Sequence, residues 1–162
     1  MKRPPELLES GGDWRTYEDL LYQEFLDTVV KRSLTFRGLP VTAPHRPEFR
    51  GKSFSFWHVI SEAPKPNNRN ENDRLPDLER CRRIRWIAWA IEHSEEAGFS
   101  WWENRRGSET RVGIWAEGHD FAVILAKRRD YYSPKTAYCV KERRRADFAR
   151  ERDAYRNRAQ KI

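Results

Sequence analysis

The sequence lacks most of the motifs from which catalytic centres are recognised. Its 162 residues include two cysteines and four histidines, with no CxxC, HExxH or DxD pattern among them. These are the spacings that commonly hold a catalytic or structural metal ion. The eight glycines never form GxxxxGK or GxGxxG, and GxSxG is absent. Metal catalysis, nucleoside triphosphate chemistry and a serine hydrolase site are therefore disfavoured, and we predict neither a metal nor another cofactor.

Long apolar runs are also missing. The first ten residues, MKRPPELLES, have charge but no apolar core of the kind found in signal peptides, and no run approaches the roughly 20 apolar residues of a membrane span. With only two cysteines and no CxxC pair, we expect two reduced thiols, as in a cytosolic protein. Cys81 falls on an apolar helix stripe and Cys139 in a closing strand, so both are expected to be small core residues. We predict a cytoplasmic protein without a membrane segment.

Positive charge is abundant but unevenly placed. The chain carries 32 Lys and Arg against 25 Asp and Glu, and residues 127–162 account for 13 of the cations but only 5 of the acids. The rest of the chain is close to neutral. A local cationic surface favours RNA or another polyanion by steering and counterion release. The alternative interpretation is an arginine-rich helix that is simply solvated.

Three segments follow from composition. Residues 1–15, rich in Pro, Gly and Glu, are predicted to be a flexible arm. Residues 16–142 are expected to form one domain, because a chain of this length supports a single modest core. That core must depend on seven tryptophans, six tyrosines and eight phenylalanines. Residues 143–162 are predicted to be a basic helical tail with few apolar anchors.

Periodicity predicts the elements of the domain. A helix capped by Thr16 buries Leu21, Phe25 and Val29. The alternation in SFSFWHVISE (53–62) predicts a strand with His58 on the same face as two phenylalanines. Residues 62–74, with almost no apolar residue, are predicted to be a long flexible loop. Pro76 is expected to open a second helix, PDLERCRRIRWIAWAIEHS, with a buried stripe of Leu78, Cys81, Ile84, Ile87, Ala88 and Ile91.

After Gly98 the pattern changes to strands. SWWENRR, TRVGIWAEG, DFAVILAKRR and TAYCV are separated by turn-like stretches, which is typical of an antiparallel meander. The order predicts an α+β fold with N-terminal helices on one face of a roughly four-stranded antiparallel sheet, followed by a basic C-terminal helix.

Two regions hold residues suited to acid–base work on a phosphodiester without a metal. His58 ordinarily titrates near neutral pH. The stretch 127–138 places cations around hydroxyls, with YYSPK predicted as a loop and Thr136 and Tyr138 on one face of the strand TAYCV. Its members are Lys127, Arg128, Arg129, Lys135, Tyr131, Tyr132, Ser133, Thr136 and Tyr138. A core histidine and ordinary turn chemistry are the alternative interpretations.

Further basic and aromatic side chains are candidate RNA contacts. The arginines that open the second helix predict another basic patch, from which Arg85 is taken as a candidate. Trp101, Trp102 and Trp115 lie on strands where one of them could stack on an exposed base, although tryptophans in a small domain are more often core.

The matching pieces FWHVISE (56–62), RIRWIAWAIEH (83–93) and KRRDYYSPKTAYCV (127–140) resemble the phage-associated nucleases of the barnase/EndoU/colicin/RelE-like superfamily. The resemblance covers about residues 53–142. It implies a toxin-like, metal-independent endoribonuclease, associated with a phage or mobile element, that leaves a 2′,3′-cyclic phosphate. It implies His58 as the family histidine, Thr136 and Tyr138 as the closing motif, and Lys127 and Arg129 as candidate phosphate clamps. We take His58, Thr136, Tyr138 and Lys127 as the catalytic candidates. Arg128, Lys135, Tyr131, Tyr132 and Arg85 complete the predicted RNA-binding set.

Three functions stay open at this point: an RNA-cleaving enzyme, a non-catalytic RNA-binding module, and an interaction protein with a protein partner or inhibitor. The general acid stays open between Tyr138, Lys127 and His119.

Overall fold

The computed structural model describes residues 3–160. Its helices are α1 (Trp14–Phe25), α2 (Phe54–Ile60), α3 (Leu78–Arg82), α4 (Trp86–Glu92) and α5 (Glu142–Gln160). Short strands form three hairpins: β1 (Thr35–Phe36) with β2 (Leu39–Pro40), β3 (Glu48–Phe49) with β4 (Lys52–Ser53), and β5 (Ser61–Glu62) with β6 (Leu75–Pro76). The main sheet contains β7 (Phe99–Arg106), β8 (Glu109–Ala116), β9 (Phe121–Lys127) and β10 (Tyr132–Cys139).

The main sheet is an antiparallel meander in the order β10-β9-β8-β7, as predicted. One face contributes alternate apolar residues, such as Ile114, Val123 and Ala137, to the core that α1 to α4 complete. The opposite face carries Trp102 and Trp115, and α5 packs over both through Phe148. The prediction of an α+β fold with a C-terminal helix is confirmed.

Helix α1 begins three residues earlier than predicted. Asp13, not Thr16, is its cap, because an Asp13 carboxylate oxygen accepts a hydrogen bond from the Thr16 backbone N–H at 2.7 Å. Leu21 and Phe25 are buried as predicted. The helix continues into a π-helical turn, Leu26–Val30, which keeps Val29 in the core.

The predicted strand at 53–62 is wrong, because residues 54–60 form helix α2. Ser53 caps it by accepting the Phe56 backbone N–H at 3.4 Å. Phe56, Trp57, Val59 and Ile60 are the buried residues, which is a helical spacing. Tertiary burial on two sides overrides the strand preference of these aromatic and β-branched residues.

The second predicted helix is interrupted. Pro76 belongs to β6, Asp77 caps α3, and a turn over residues 83–85 separates α3 from α4. Leu78, the first residue of α3, is 59% exposed, so its place in the buried stripe was predicted wrongly. Cys81, Ile84, Ile87, Ala88 and Ile91 are buried as predicted.

The N-terminal segment lies against α3 and α4. The Leu8 N–H donates to the Arg82 carbonyl at 2.9 Å, and the Trp86 indole N–H donates to the Pro5 carbonyl at 2.8 Å. Leu7 and Leu8 pack on the core. Residues 5–8 of the predicted flexible arm 1–15 therefore pack on the domain, and Trp14 and Arg15 belong to α1. Residues 1–2 of that arm lie outside the described residues. None of the helices within residues 3–160 is long and apolar enough to cross a membrane.

Candidate active site

His58 lies in the last turn of the seven-residue helix α2. Its ring stacks on Phe54, with ring centroids 6.2 Å apart, and 35% of the side chain is exposed. The Nε2 atom lies 2.9 Å from Oε1 of Glu71, a residue of the 3₁₀ turn Glu71–Asp73. Nδ1 makes no hydrogen bond to the part of the chain that the structure describes. If Nε2 carries the proton toward Glu71, Nδ1 presents a free lone pair.

The surroundings of His58 lower its pKa from the ordinary value of 6.5. Burial is the largest cause, because it disfavours the charged imidazolium, and the nearby cations Arg74 and Lys135 act in the same direction. The hydrogen bond and charge of Glu71 oppose this shift. The neutral ring therefore predominates at pH 7.

His58 lines an open pocket of about 190 Å³, here called the His58 pocket. Three cations surround it: Arg46 from the segment before β3, Arg128 from the β9–β10 hairpin, and Lys135 from β10. Ser133 and Ser55 add hydroxyls. Lys135 stands at a register irregularity in β10, between Pro134 and Thr136. Such a bulge redirects a side chain from the regular alternation of the strand.

Thr136 joins β10 to α2 next to the pocket. Its hydroxyl donates to the backbone carbonyl of His58 at 3.1 Å. Thr136 and His58 are therefore neighbours, but the contact is made to the backbone of His58 and not to its imidazole. The two residues line different pockets.

Arg80 is a largely buried cation behind this junction, with 11% of its side chain exposed. Its Nη1 donates to the Ser61 carbonyl at 2.8 Å and lies 3.4 Å from the Thr136 hydroxyl. Its guanidinium carbon lies 5.7 Å from the Tyr138 ring centre. Arg80 therefore ties the end of α2 to Thr136 and Tyr138 of β10.

Tyr138 opens onto a second pocket, on the sheet face that carries α5. That pocket, here called the sheet-face pocket, is also lined by Arg106, Arg111 and Arg144. It shares no described lining residue with the His58 pocket. Lys127 points to a third location, where its Nζ lies 3.5 Å from Glu103. Neither residue lines the His58 pocket, so the predicted single constellation of His58, Tyr138 and Lys127 is divided.

The predicted RNA-binding set is similarly dispersed. Tyr132 is 3% exposed and packs edge-on against Phe36, which makes it a core residue. Arg85 pairs with Glu24 at 3.1 Å on the far side of the helices. Arg129 is exposed and Tyr131 half-buried in the β9–β10 hairpin, but neither lines the His58 pocket. Of this set, Arg128 and Lys135 remain with His58.

The remaining aromatic candidates are used in packing. Trp102 and Trp115 are buried beneath α5. Trp101 is half-buried, and the Arg37 guanidinium lies over its ring at 4.3 Å. His119, a candidate acid, lies near Trp86 and Trp89, with ring centroids 5.7 and 5.5 Å away.

Sequence reasoning missed Glu71, Arg80 and Arg46. Glu71 lies in the segment 62–74, which was predicted to be a structureless loop, and nothing in the sequence marks this carboxylate among its neighbours. Arg80 is one of the arginines that open the second predicted helix, and it directly precedes Cys81 of the predicted buried stripe. No group of three side chains able to hold a metal ion is found within residues 3–160.

No family model, curated protein or solved structure matches this chain.

Proposed function

We propose that this protein is a metal-independent endoribonuclease, and that His58 is its general base. The observation that carries the proposal is the His58–Glu71 pair at the edge of a pocket lined by three cations. A neutral imidazole held by a carboxylate can accept a proton at neutral pH. Surrounding guanidinium and ammonium groups suit a phosphodiester and the additional charge of its transition state.

The reaction begins at the 2′-hydroxyl of the RNA. His58 Nδ1 removes its proton, the 2′-oxygen attacks the adjacent phosphorus, and the bond from phosphorus to the 5′-oxygen breaks. The products are a 2′,3′-cyclic phosphate and a 5′-hydroxyl. Arg46, Arg128 and Lys135 stabilise the charge that collects on the phosphorane oxygens.

Lys135 is our candidate for the proton donor to the leaving 5′-oxygen. Tyr138, Lys127 and His119, the three candidates from the sequence, lie outside the His58 pocket. Arginine cannot be deprotonated in proteins, which removes Arg46 and Arg128 from this role, whereas an ammonium group can give up a proton.

The test is cleavage of a single-stranded RNA in excess EDTA. Wild-type protein should produce 2′,3′-cyclic phosphate ends, and a strand with a single 2′-deoxynucleotide should resist cleavage at that position. His58→Asn should lower the rate by about 100-fold or more, as expected for loss of a general base. His93→Asn is a matched control, because His93 also pairs with a glutamate, Glu96.

Loss of cleavage on chelation, or full activity in His58→Asn, would overturn the proposal. RNA that is bound in a salt-dependent manner but never cut would instead assign the chain to the RNA-binding class.

A further inference from the structure

The sheet-face pocket has no role in the proposed reaction, yet its lining is strongly cationic. It has a volume of about 190 Å³ and lies between the sheet and α5. Arg106 and Asn104 come from β7, Arg111 from β8, Tyr138 from β10 and Arg144 from α5. Within residues 3–160, Glu151 is the one acidic residue of its lining.

Strand register accounts for this convergence. Asn104 pairs with Arg111, and Trp102 pairs with Gly113, so these side chains share one face of the sheet. On its other side, Gly113 pairs with Ile124 of β9, and Ile124 pairs with Thr136 of β10. Gly113 also provides the space for the floor of the pocket, since a Cβ atom there would lie 2.8 Å from Cζ2 of Trp102.

The arginines of this pocket are incompletely neutralised. Arg106 forms no ion pair within residues 3–160. Arg111 donates a hydrogen bond from Nε to the Glu109 carboxylate at 2.7 Å. The two terminal nitrogens of its guanidinium therefore stay available for another partner. Arg144 packs over the Phe148 ring at 4.9 Å, and its nearest acid, Asp147, is 3.7 Å away.

The single acid of the lining is already engaged. Glu151 accepts the Trp102 indole N–H at 3.3 Å. The lining itself holds three arginines and one glutamate, while Glu109 and Asp147, just outside it, each neutralise part of the charge of one arginine. The excess of guanidinium donors within the pocket favours an anion.

We infer that the sheet-face pocket binds a phosphate monoester, carried by the end of a nucleic-acid strand. A terminal phosphate has a charge of about −2 near neutral pH, whereas an internal phosphodiester has one negative charge. Planar guanidinium groups bind phosphate oxygens in pairs. The pocket is smaller than the roughly 300 Å³ or more of pockets that enclose drug-sized ligands, so it suits a phosphate group better than a complete nucleotide.

The choice of a nucleic-acid strand rests on the proposed function, whereas the phosphate site itself does not. Thr136, which lines this pocket, directly follows Lys135, which lines the His58 pocket. Both pockets are therefore lined in part by residues of the edge strand β10.

Calorimetric titration of the wild-type protein tests this inference. The probes are a DNA tetranucleotide with a 5′-phosphate, the same strand with a 5′-hydroxyl, adenosine monophosphate and inorganic phosphate. DNA lacks the 2′-hydroxyl, so binding is measured whether or not the protein cleaves RNA. We expect the 5′-phosphorylated strand to bind at least about tenfold more tightly than the hydroxyl form, as for one or more charge-assisted hydrogen bonds.

Arg106→Gln and Arg144→Gln should each remove most of this preference. Arg32→Gln is the matched control, because Arg32 is an exposed guanidinium paired with Glu92 in another region and should leave the preference unchanged. Equal binding of the two strands would overturn the phosphate site, as would equal effects of Arg106→Gln and Arg32→Gln. Adenosine monophosphate binding as tightly as the phosphorylated strand would overturn the assignment to a strand end.

Discussion

At the scale of single residues, the pKa of His58 is set by two opposing influences. Burial in the His58 pocket disfavours the imidazolium, and Glu71 favours it. The outcome is a lowered pKa, so that the ring is neutral at pH 7, as the proposed general base requires.

The cleavage rate should therefore rise with pH along an acidic limb centred below pH 6.5 and then level off. In Glu71→Gln the stabilising carboxylate is lost, so the pKa of His58 should fall further and the limb should move to lower pH. The plateau rate should also fall by roughly tenfold or more, because the imidazole loses its orienting partner. Rate measurements from pH 4.5 to 8 check both effects. An unchanged limb in Glu71→Gln would contradict the assigned role.

The same pKa shift affects stability. Because the pKa of His58 is lower in the folded than in the unfolded protein, the unfolded chain binds more protons as the pH falls. The contribution of His58 to stability is complete above about pH 6.5 and is lost as the pH falls through the folded-state pKa. Urea unfolding between pH 7 and 5 should show a smaller decrease in His58→Asn than in wild type. Equal decreases would contradict this linkage.

At the scale of elements, β8 passes beneath Trp102 because residue 113 has no side chain. Gly113→Ala should place a Cβ against the indole, at a cost of about 1–3 kcal/mol in the free energy of unfolding. Gly12→Ala is the control, since within residues 3–160 no heavy atom beyond Gly12 and its two chain neighbours lies within 4 Å of the added Cβ. Denaturant unfolding, followed by tryptophan fluorescence, measures both variants. A Gly113→Ala protein as stable as the control would show that Trp102 can move aside freely.

Element types were predictable where a long pattern had one interpretation. The four strands of the meander and the buried face of α1 follow from periodicity and turn residues. Helix α2 did not, because FSFWHVI satisfies a strand alternation as well as a helical spacing, and only burial by its neighbours decides between them.

The site was less predictable than the fold, for a related reason. His58 and Lys135 were identified by their chemistry, but the partners Glu71 and Arg46 come from segments with no regular pattern. Tyr132 was misassigned because its hydroxyl suggested a polar role, whereas its ring faces Phe36 in the core. Which hydroxyls and cations meet depends on the contact of α2 with the edge strand β10, and a single sequence does not encode such a distance in any local pattern.

At the scale of the whole molecule, binding of RNA should depend on salt through a few localised contacts. The affinity for a single strand falls with salt by about 0.7 logarithmic units per phosphate contact for each tenfold increase. The double variant Arg46→Gln and Lys135→Gln should therefore reduce the slope by about 1.4. Titration of an uncleavable 2′-O-methyl RNA at several salt concentrations provides the measurement.

The control for this measurement removes two charges elsewhere. The control is the double variant Lys31→Gln and Arg32→Gln. Both residues lie outside the two pockets, where Lys31 pairs with Asp27 and Arg32 with Glu92. Its slope should equal that of the wild type. If both double variants reduced the slope equally, RNA would be held by overall charge and not by the His58 pocket.

The pairing of His58 with Glu71 has a consequence for how this protein can evolve. Residues 62–74 include no buried residue, so most substitutions there should cost little stability. Yet this tolerant segment supplies the carboxylate that pairs with His58. In the proposed reaction, changes in the segment would strengthen, weaken or abolish the activity while the helices and the sheet stay as they are, which would let selection adjust activity separately from folding.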